Sequence, residues 1–459
     1  MITLHTYQTY ISTIVNKRHM NHIYRLIQFF SVAPLLCVSI FFACLTHTAE
    51  ARTLTLDQAL SIAMEKNRDI EKSREYARYV QGRYVEERAA ALPQLSLNAA
   101  ATISKDESQG FTGMTSRQYS RTADVTLSQP LYTWGKIGAA IRAAEVGLKT
   151  ADEQLRLYRQ AVYRDVTATF YDILLAKELH RLAGENLAQK KRHQDEARRK
   201  FAAGVATDYD VLAADVAVDN ARPEGIRSEN SVRTAREKLR FLLALEGVEV
   251  DVSGSLDSDT VPPQSFEEAL KSAQDHRPEL SDAKLRVGIY NELVSIANAD
   301  NKPRLDLRGS AGWHWMDMNS TGSGHTEDGA AWNAGVFLTF PFFDGFRTSG
   351  RVTQAKSDLR TKQIEESRLR DSVALEVRDA INAVREASEI VLALSSTVRQ
   401  AERLVQMAEK GYEFGVKIRL EVDDAQLNLV QAQSNLARAQ RDQRVAQVNL
   451  QWAMGSAGE

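Results

Sequence analysis

A tandem duplication constrains this chain of 459 residues more than any other feature. Leu56-Asp57-Gln58-Ala59-Leu60 returns as Phe266-Glu267-Glu268-Ala269-Leu270, a spacing of 210. Pro93-Gln94-Leu95-Ser96-Leu97 returns as Pro303-Arg304-Leu305-Asp306-Leu307 at the same spacing. Ser128-Gln129-Pro130-Leu131-Tyr132 returns as Thr339-Phe340-Pro341-Phe342-Phe343 at 211. Phe201, Gly204 and Val205 return as Tyr412, Gly415 and Val416, again at 211. Landmarks that keep one offset to within a residue mean two similar halves, which must pack around each other or around a common axis.

Each half reads as helix, hairpin, long helix, tip, helix. The opening helix is expected from about Leu56 to Ala91, with Thr55 as N-cap and Pro93 ending it. Its counterpart is expected from Ser265, also a cap candidate, to about Ala299. Strict alternation then signals strands. Leu95, Leu97, Ala99 and Ala101 alternate with Gln94, Ser96, Asn98 and Ala100, and Ala123, Val125 and Leu127 with Asp124, Thr126 and Ser128. Leu305 and Leu307 alternate with Asp306 and Arg308 in the second half. There Trp332, Ala334, Val336, Leu338 and Phe340 alternate with Asn333, Gly335, Phe337 and Thr339. The hairpins are bounded as 93–132 and 303–343, with polar, glycine-bearing loops at Ser104 to Gln118 and Met316 to Gly329. Each strand is then about ten residues, enough to cross a membrane.

Such hairpins fit either a soluble core or a bilayer. In a bilayer, Leu95, Leu97, Val125, Leu127, Leu305, Leu307, Val336 and Leu338 face lipid, with Trp332 and Phe340 nearer the interfaces and the intervening polar residues lining water. Four strands cannot close a barrel alone, so several subunits would pool their hairpins.

The long helices set the scale. No proline occurs from Lys136 to Lys200, and Leu148, Ala151, Leu155, Tyr158, Val162, Val166, Phe170 and Ile173 form a stripe at helical spacing. The duplicate, from Arg347 to about Lys410, repeats it as Leu359, Val373, Val377, Ile381 and Val384. A helix of some 65 residues is on the order of 100 Å long. The two shorter helices of each half, stacked end to end, could run beside it. Pro223, with Gly225 nearby, is expected to interrupt and kink the first returning helix. Segments 201–207 and 412–418 break the helical pattern and read as turns, with Gly204-Val205-Ala206-Thr207 and Gly415-Val416-Lys417-Ile418 at their centres.

The first 51 residues read as a secretory signal. Lys17, Arg18 and Arg25 flank or precede an apolar run from Leu26 to Leu45, and Ala49-Glu50-Ala51 offers small residues for cleavage. A transmembrane anchor is the other reading of that run. Met20 is an alternative start, and Cys44, after Phe41-Phe42-Ala43, is a candidate for lipidation. Both cysteines, Cys37 and Cys44, lie in this leader, so cleavage after Ala51 leaves no disulfide or thiolate chemistry. The chain carries 58 Lys and Arg against 60 Asp and Glu; without Lys17, Arg18, Arg25 and Glu50 the balance is 55 to 59, a net charge of −4. That balance does not suit nucleic acid. His180, His193, His276, His314 and His325 are scattered without metal-ligand spacing, and no phosphate loop or nucleophile elbow occurs. No catalytic residue, metal site or cofactor is expected. His314, between Trp313 and Trp315, reads as a pore-side or interface residue.

Across essentially the whole length after the leader, the chain resembles the TolC family of outer-membrane efflux proteins. The resemblance is carried by the two helix openings, by Ala91-Leu92-Pro93 and Lys302-Pro303 before the strands, and by the Pro130 and Pro341 strand exits. Gly135-Lys136, Asp344-Gly345 and the two tips complete it. It implies a mainly α fold with a small transmembrane β part: a homotrimer whose twelve strands form one barrel, continued by a tapering periplasmic barrel of helices. The repeats would be 52–264 and 265–459, joined by an equatorial linker at 244–264. The implied work is that of an exit duct in outer-membrane lipid, taking cargo from an inner-membrane transporter and a periplasmic adaptor (membrane fusion) protein, in a tripartite efflux pump or type I secretion system. Drugs, metals or proteins could be the cargo. The two tips would meet the adaptor. By position Glu421 and Asp424 match acidic residues at the periplasmic mouth, and Asp210, Tyr412 and Lys417 match residues that tie helices shut. Lys417 stands where the family's best-known member has arginine, which weakens any bidentate tie. A periplasmic coiled-coil scaffold would explain the helices but not the leader or hairpins. An adaptor would carry one helical hairpin and a lipoyl-like domain rather than a duplicated unit.

Overall fold

The computed structural model describes residues 52–106, 116–257, 264–320 and 323–458. The signal, with Cys37 and Cys44, lies outside them, as do 107–115 and Thr321-Gly322 of the two loops and Pro262-Pro263 of the linker. One unit, Thr53–Glu246 with Val250–Glu459, holds everything discussed below apart from Arg52.

The first repeat runs β1 (Arg52–Leu54), α1 (Leu56–Lys66), α2 (Arg68–Ala89), β2 (Gln94–Asp106), β3 (Ser116–Tyr132), α3 (Lys136–Ala202) and α4 (Asp208–Leu242). After β4 (Val250–Val252) the second runs α5 (Phe266–His276), α6 (Pro278–Ala299), β5 (Arg304–Ser320), β6 (Ser323–Thr339), α7 (Arg347–Glu413) and α8 (Arg419–Ala453). The offset seen in the sequence reaches the element ends. Helices α1 and α2 recur as α5 and α6 at 210, and α3 and α4 as α7 and α8 at 211. The extra residue is taken up inside the hairpin.

Each opening helix is two helices, where one was expected. In the first repeat Asn67, 4% exposed, leaves helical geometry and caps α2, accepting from the amides of Asp69 at 2.9 Å and Ile70 at 3.3 Å. Its Nδ2 donates to the Leu242 carbonyl at 2.8 Å, so the break is also a link to the end of α4. The second repeat breaks at the same place by other means. Arg277 takes the extended geometry that the residue before a proline prefers, and Pro278 starts α6. Pro278 was a visible signal for this break. Conversely, α4 is continuous through Pro223, where an interruption was expected; one lost backbone bond in a helix of 35 residues is outweighed by its packing on α3.

The core sits where α1, α3 and α4 meet, and again where α5, α7 and α8 meet. Val162, Val166, Phe170 and Ile173 of the stripe on α3 are buried against Ala59, Ala63 and Leu239. Their duplicates Val373 and Val377 are buried against Ala269, Ala273 and Leu450, with Ile381 and Val384 beside them. Alanines on α1 and α5 let each short helix approach the long one closely. Strands β1 and β4 pair into a two-stranded sheet that adds Leu54, Val250 and Val252 to the first core, so this stretch of the linker is docked.

Strands β2, β3, β5 and β6 form one antiparallel sheet in that order. They are 13, 17, 17 and 17 residues long, not about ten. Serine and glycine in the expected loops do not stop a ladder whose backbone groups still find partners; β5 and β6 stay paired to Ser320 opposite Ser323.

Asn67→Ala removes the α2 cap and leaves the Leu242 carbonyl unpaired. We expect a loss of about 1–3 kcal/mol, read as a lowered urea midpoint of the helical circular dichroism signal. Exposed Asn98→Ala on β2 should leave that midpoint in place.

Candidate functional site

Two places gather unusual surface: the helical tips and the strand sheet. At the first tip α3 ends in a left-handed glycine, Gly204 at φ 74°. Val205 donates to the Lys200 carbonyl at 2.9 Å and Gly204 to that of Phe201 at 2.9 Å, the paired bonds of a Schellman turn. The second tip repeats it: Gly415 lies at φ 75°, Val416 donates to Gly411 at 2.8 Å and Gly415 to Tyr412 at 3.1 Å. Thr207 then caps α4. Its amide and hydroxyl each donate to Asp210 at 2.8 Å, and its hydroxyl accepts from the Asp210 amide at 3.3 Å. Ile418 has no side-chain acceptor, so α8 keeps only the return bond, Ile418 N–H to Glu421 at 3.1 Å, with Lys417 paired to the same carboxylate.

The expected site residues therefore divide. Asp210 serves its own turn, and Glu421 and Lys417 serve theirs. Asp424 is exposed on α8. Only Tyr412 ties one repeat to the other, accepting from Lys200 at 3.0 Å. The rest of that tie was not anticipated. Lys190 meets Asp423 at 3.1 Å and Arg419 reaches Glu196 at 3.9 Å across the repeats, while Lys200 meets Glu196 at 2.8 Å and Arg419 reaches Asp423 at 3.6 Å within their own helices. Burial first, and then the Arg419 charge, push the pKa of His193 in their midst below its ordinary value. These groups line a groove of about 320 Å³ between α3, α4 and α8. Spacings of three and four from Lys190 through His193 and Glu196 to Lys200 mark one helical face, a signal the sequence did carry.

The tips also present bare apolar side chains: Val205 and Tyr209 on the first, and Phe414, Val416, Ile418 and Leu420 on the second. The tips thus carry large apolar side chains that the chain itself leaves uncovered.

In the sheet, register sorts the side chains. Leu95 and Leu97 lie opposite Leu127 and Val125, and Leu305 and Leu307 opposite Leu338 and Val336. Val125 in turn lies opposite Ala311, and Leu127 opposite Gly309. Directly opposed residues share a face, so all eight occupy one face, with Trp332 80% exposed among them. Ser96, Asn98 and Thr126 hydrogen-bond across the other face, as do Asn333 and Ser310. His314 takes that polar face and Trp313 and Trp315 the apolar one. Beyond the strand exits, Tyr132, Trp134, Phe340, Phe342, Phe343 and Phe346 are all exposed, a band of aromatic side chains of which sequence reading gave only part. Both exits turn through two left-handed residues, Trp134-Gly135 and Gly345-Phe346. No helix among the described residues is long and apolar enough to cross a membrane.

Comparison with known proteins agrees with this architecture. The family described as outer membrane efflux protein matches residues 59–245 and 269–456, one match per repeat. The outer membrane protein TolC of Vibrio cholerae is 24% identical over 384 residues, covering 81% of this chain and 84% of that protein. The outer membrane efflux protein BepC of Brucella suis is 25% identical over 408 residues, covering 87% and 85%. Among solved structures, the Campylobacter jejuni CmeC outer membrane channel superposes with a TM-score of 0.77 over 88% of this chain and 86% of its own, at 18% identity.

Acid should unpick the tips. The Thr207 amide and hydroxyl hold the Asp210 carboxyl, and Lys417 holds that of Glu421, below their ordinary values. Each thus stabilises its turn above the unfolded-state pKa, and that contribution is lost as pH falls through the folded value. Hydrogen exchange at 204–211 and 415–422, corrected for intrinsic rate, should lose protection below about pH 4. Asp210→Asn and Glu421→Gln should flatten that dependence.

Proposed function

The chain belongs to the outer membrane efflux protein family, and from that premise we propose that three copies assemble into one export duct. Each copy is an outer-membrane channel subunit, with a helical extension into the periplasm. The observation that carries this reading is the sheet: one chain offers four strands with a continuous apolar face, two open edges, and a helix of 67 residues leaving each hairpin. At about 1.5 Å per residue such a helix is on the order of 100 Å long, enough to cross a wide aqueous compartment. Lipid takes the face of Leu95, Leu97, Val125, Leu127, Leu305, Leu307, Val336 and Leu338. The aromatic band beside the strand exits fits the membrane–water boundary.

The duct is passive. Transport is driven by an inner-membrane transporter acting through a periplasmic adaptor, which meets the tips at Gly204-Val205-Ala206-Thr207 and Gly415-Val416-Lys417-Ile418. Exposed Val205, Val416 and Ile418 give the adaptor an apolar landing, and the two glycines hold the turns narrow. Near the tips, three-fold symmetry would gather six carboxylates from Glu421 and Asp424 around one mouth and raise the local cation concentration. Lys417 already offsets Glu421, so Asp424 carries the larger share.

Two measurements test this. Unheated outer-membrane extract should run as a trimer on a denaturing gel and collapse to monomer on heating. Val336→Arg, on the apolar face, should abolish that trimer at a cost of about 2–4 kcal/mol near the midplane, while Asn333→Arg, on the polar face, should keep it. Equal tolerance at both positions would mean the face is misassigned. In planar bilayers, Asp424→Asn with Glu421→Gln should weaken cation preference, and Asp424→Asn alone should give most of the change. Unchanged selectivity would leave these acids outside the mouth.

A further inference from the structure

Near the strands, α3 runs recessed between α2 and α6, because the residues it presents to the gap are Ala140, Ala143, Ala144 and Gly147. Tyr76, Tyr79 and Arg83 of α2 and Ile289, Tyr290 and Leu293 of α6 stand on either side and enclose a groove of about 320 Å³. Glu87, Ala140 and Ile296 carry it into a second hollow of about 670 Å³ at the foot of the sheet, where Gln94, Ser128 and Thr339 join the lining. Those three belong to the polar face of the strands. Gln94 lies opposite Ser128 and Thr339 opposite Arg304, one residue along from the paired leucines of the apolar face. The groove therefore opens on the water side.

Given the duct reading above, we propose that this groove is a binding site on the inner wall, one in each chain, for aromatic carboxylates passing through. It is peculiar to α3. On α7 the floor positions are Arg351, Gln354, Ala355 and Asp358, whose side chains would fill such a gap. Nor do the walls await another helix. Tyr76, Tyr79 and Arg83 correspond, at 210, to Arg286, Ile289 and Leu293 of α6, which already has α3 and α7 packed against it. Leu293 is still 39% exposed there, so these positions face the groove and not a flanking helix.

Two features select that class of ligand. The first is aromatic surface. Tyr76 and Tyr79 are 40% and 65% exposed and stack with ring centroids 6.2 Å apart, which offers a flat ring a surface to lie on. The second is charge. Arg286 is held by Asp282 at 2.6 Å, Arg304 by Asp306 at 2.8 Å, and Lys136 shares Asp300 with Arg351. Arg83 and Lys302, both exposed, have neither hydrogen bond nor ion pair among the described residues. Glu87 is the one acid of the lining left to offset them. This local surplus of positive charge stands in a chain whose net charge is −2. Arg83 lies one helical turn from Tyr79, so a carboxylate on its guanidinium fork leaves the attached ring against the tyrosines.

Equilibrium dialysis of 2-naphthoate against the purified protein tests the site, with saturable binding of one molecule per chain expected. Arg83→Gln removes a charge-assisted pair and should weaken naphthoate about tenfold or more, while sparing 2-naphthalenemethanol, the same ring without charge. Tyr79→Ser should weaken both. Cyclohexanecarboxylate, an acid without an aromatic ring, should bind far more weakly than naphthoate. Ala143→Gln copies Gln354 into the floor and should abolish naphthoate binding from a protein that still forms heat-dissociable trimers. In planar bilayers naphthoate should interrupt the current of the parent channel and leave that of Ala143→Gln steady. Naphthoate binding that is absent, that survives both Arg83→Gln and Ala143→Gln, or that cyclohexanecarboxylate matches would overturn the site, with current through the parent channel still upholding the duct. Saturable binding without interrupted current would place the groove off the path and overturn the proposal as well. A parent chain that carries no current would overturn the duct reading itself.

Discussion

Backbone hydrogen bonding at the edges of one sheet governs the rest of this molecule. A four-stranded sheet leaves two rows of amides and carbonyls without partners, and hydrocarbon offers none, at a cost of several kcal/mol for each unsatisfied group. The edges β2 and β6 therefore have to be covered by strands, and four strands are too few to curl onto themselves. Assembly is a condition of insertion, not a later refinement. The same requirement explains the strand length. Ladders that run to 17 residues carry the pairing within the sheet past the thickness of the bilayer.

Once two edges must meet around an axis, a duplicated chain has an advantage: the seam within the chain and the seam between chains can share one geometry. The repeats keep backbone and let side chains drift. At the strand exits both turn through two consecutive left-handed residues, yet the glycine is second in Trp134-Gly135 and first in Gly345-Phe346. At the helix breaks one repeat uses a capping asparagine and the other a proline, with the Arg277 guanidinium held by Glu279 at 3.1 Å and Glu376 at 2.6 Å. At the tips a lysine changes place. The first repeat has Lys200 and Ala206 where the second has Gly411 and Lys417, and the Lys417 stem lies where a side chain on Gly411 would be. That exchange frees Lys200 to reach Tyr412 of the other repeat.

These particulars show what the sequence could and could not reveal. Periodicity and the repeat offset were enough for the sequence of hairpin, long helix, turn and returning helix in each repeat, the buried stripe from Val162 to Ile173 and the glycine turns, because each depends on local pattern. Thr55 was readable as a cap because its box with Gln58 is local too. Strand ends were misjudged because polarity, not pairing, was the available signal, and only a partner strand shows where a ladder stops. The break at Asn67 rests in part on a local cap at Asp69 and Ile70, but its other hold, the Leu242 carbonyl, is 175 residues away and was hidden. The roles of Asp210 and Glu421 could not be separated from a shared acidic mouth, since a carboxylate at the third helical position suits both a cap and a ring. Lys190 and Asp423 went unpaired because they come from different repeats, 233 residues apart.

The division of labour at the tips bears on how such an end could widen. Within each turn the glycine, the paired backbone bonds and the cap act locally, so a turn can move as a block without losing any of them. Between repeats the connections are of another kind: Lys190 with Asp423, Lys200 with Tyr412, and Arg419 with Glu196. Such partly exposed pairs contribute roughly 0–1 kcal/mol each. The apolar cluster behind them is small, Ala408, Val422 and Ala425 with Val405 and Tyr412, and it lies within the second repeat alone. Nearer the middle of the helices, by contrast, the core of α1, α3 and α4 also takes in Ala437 of α8, with full burial of Ile173 and Leu239. Resistance to separating the repeats is therefore low at the tips and high at the middle. The ends are joined across the repeats by a few charges, whereas nearer the middle apolar packing holds the repeats together.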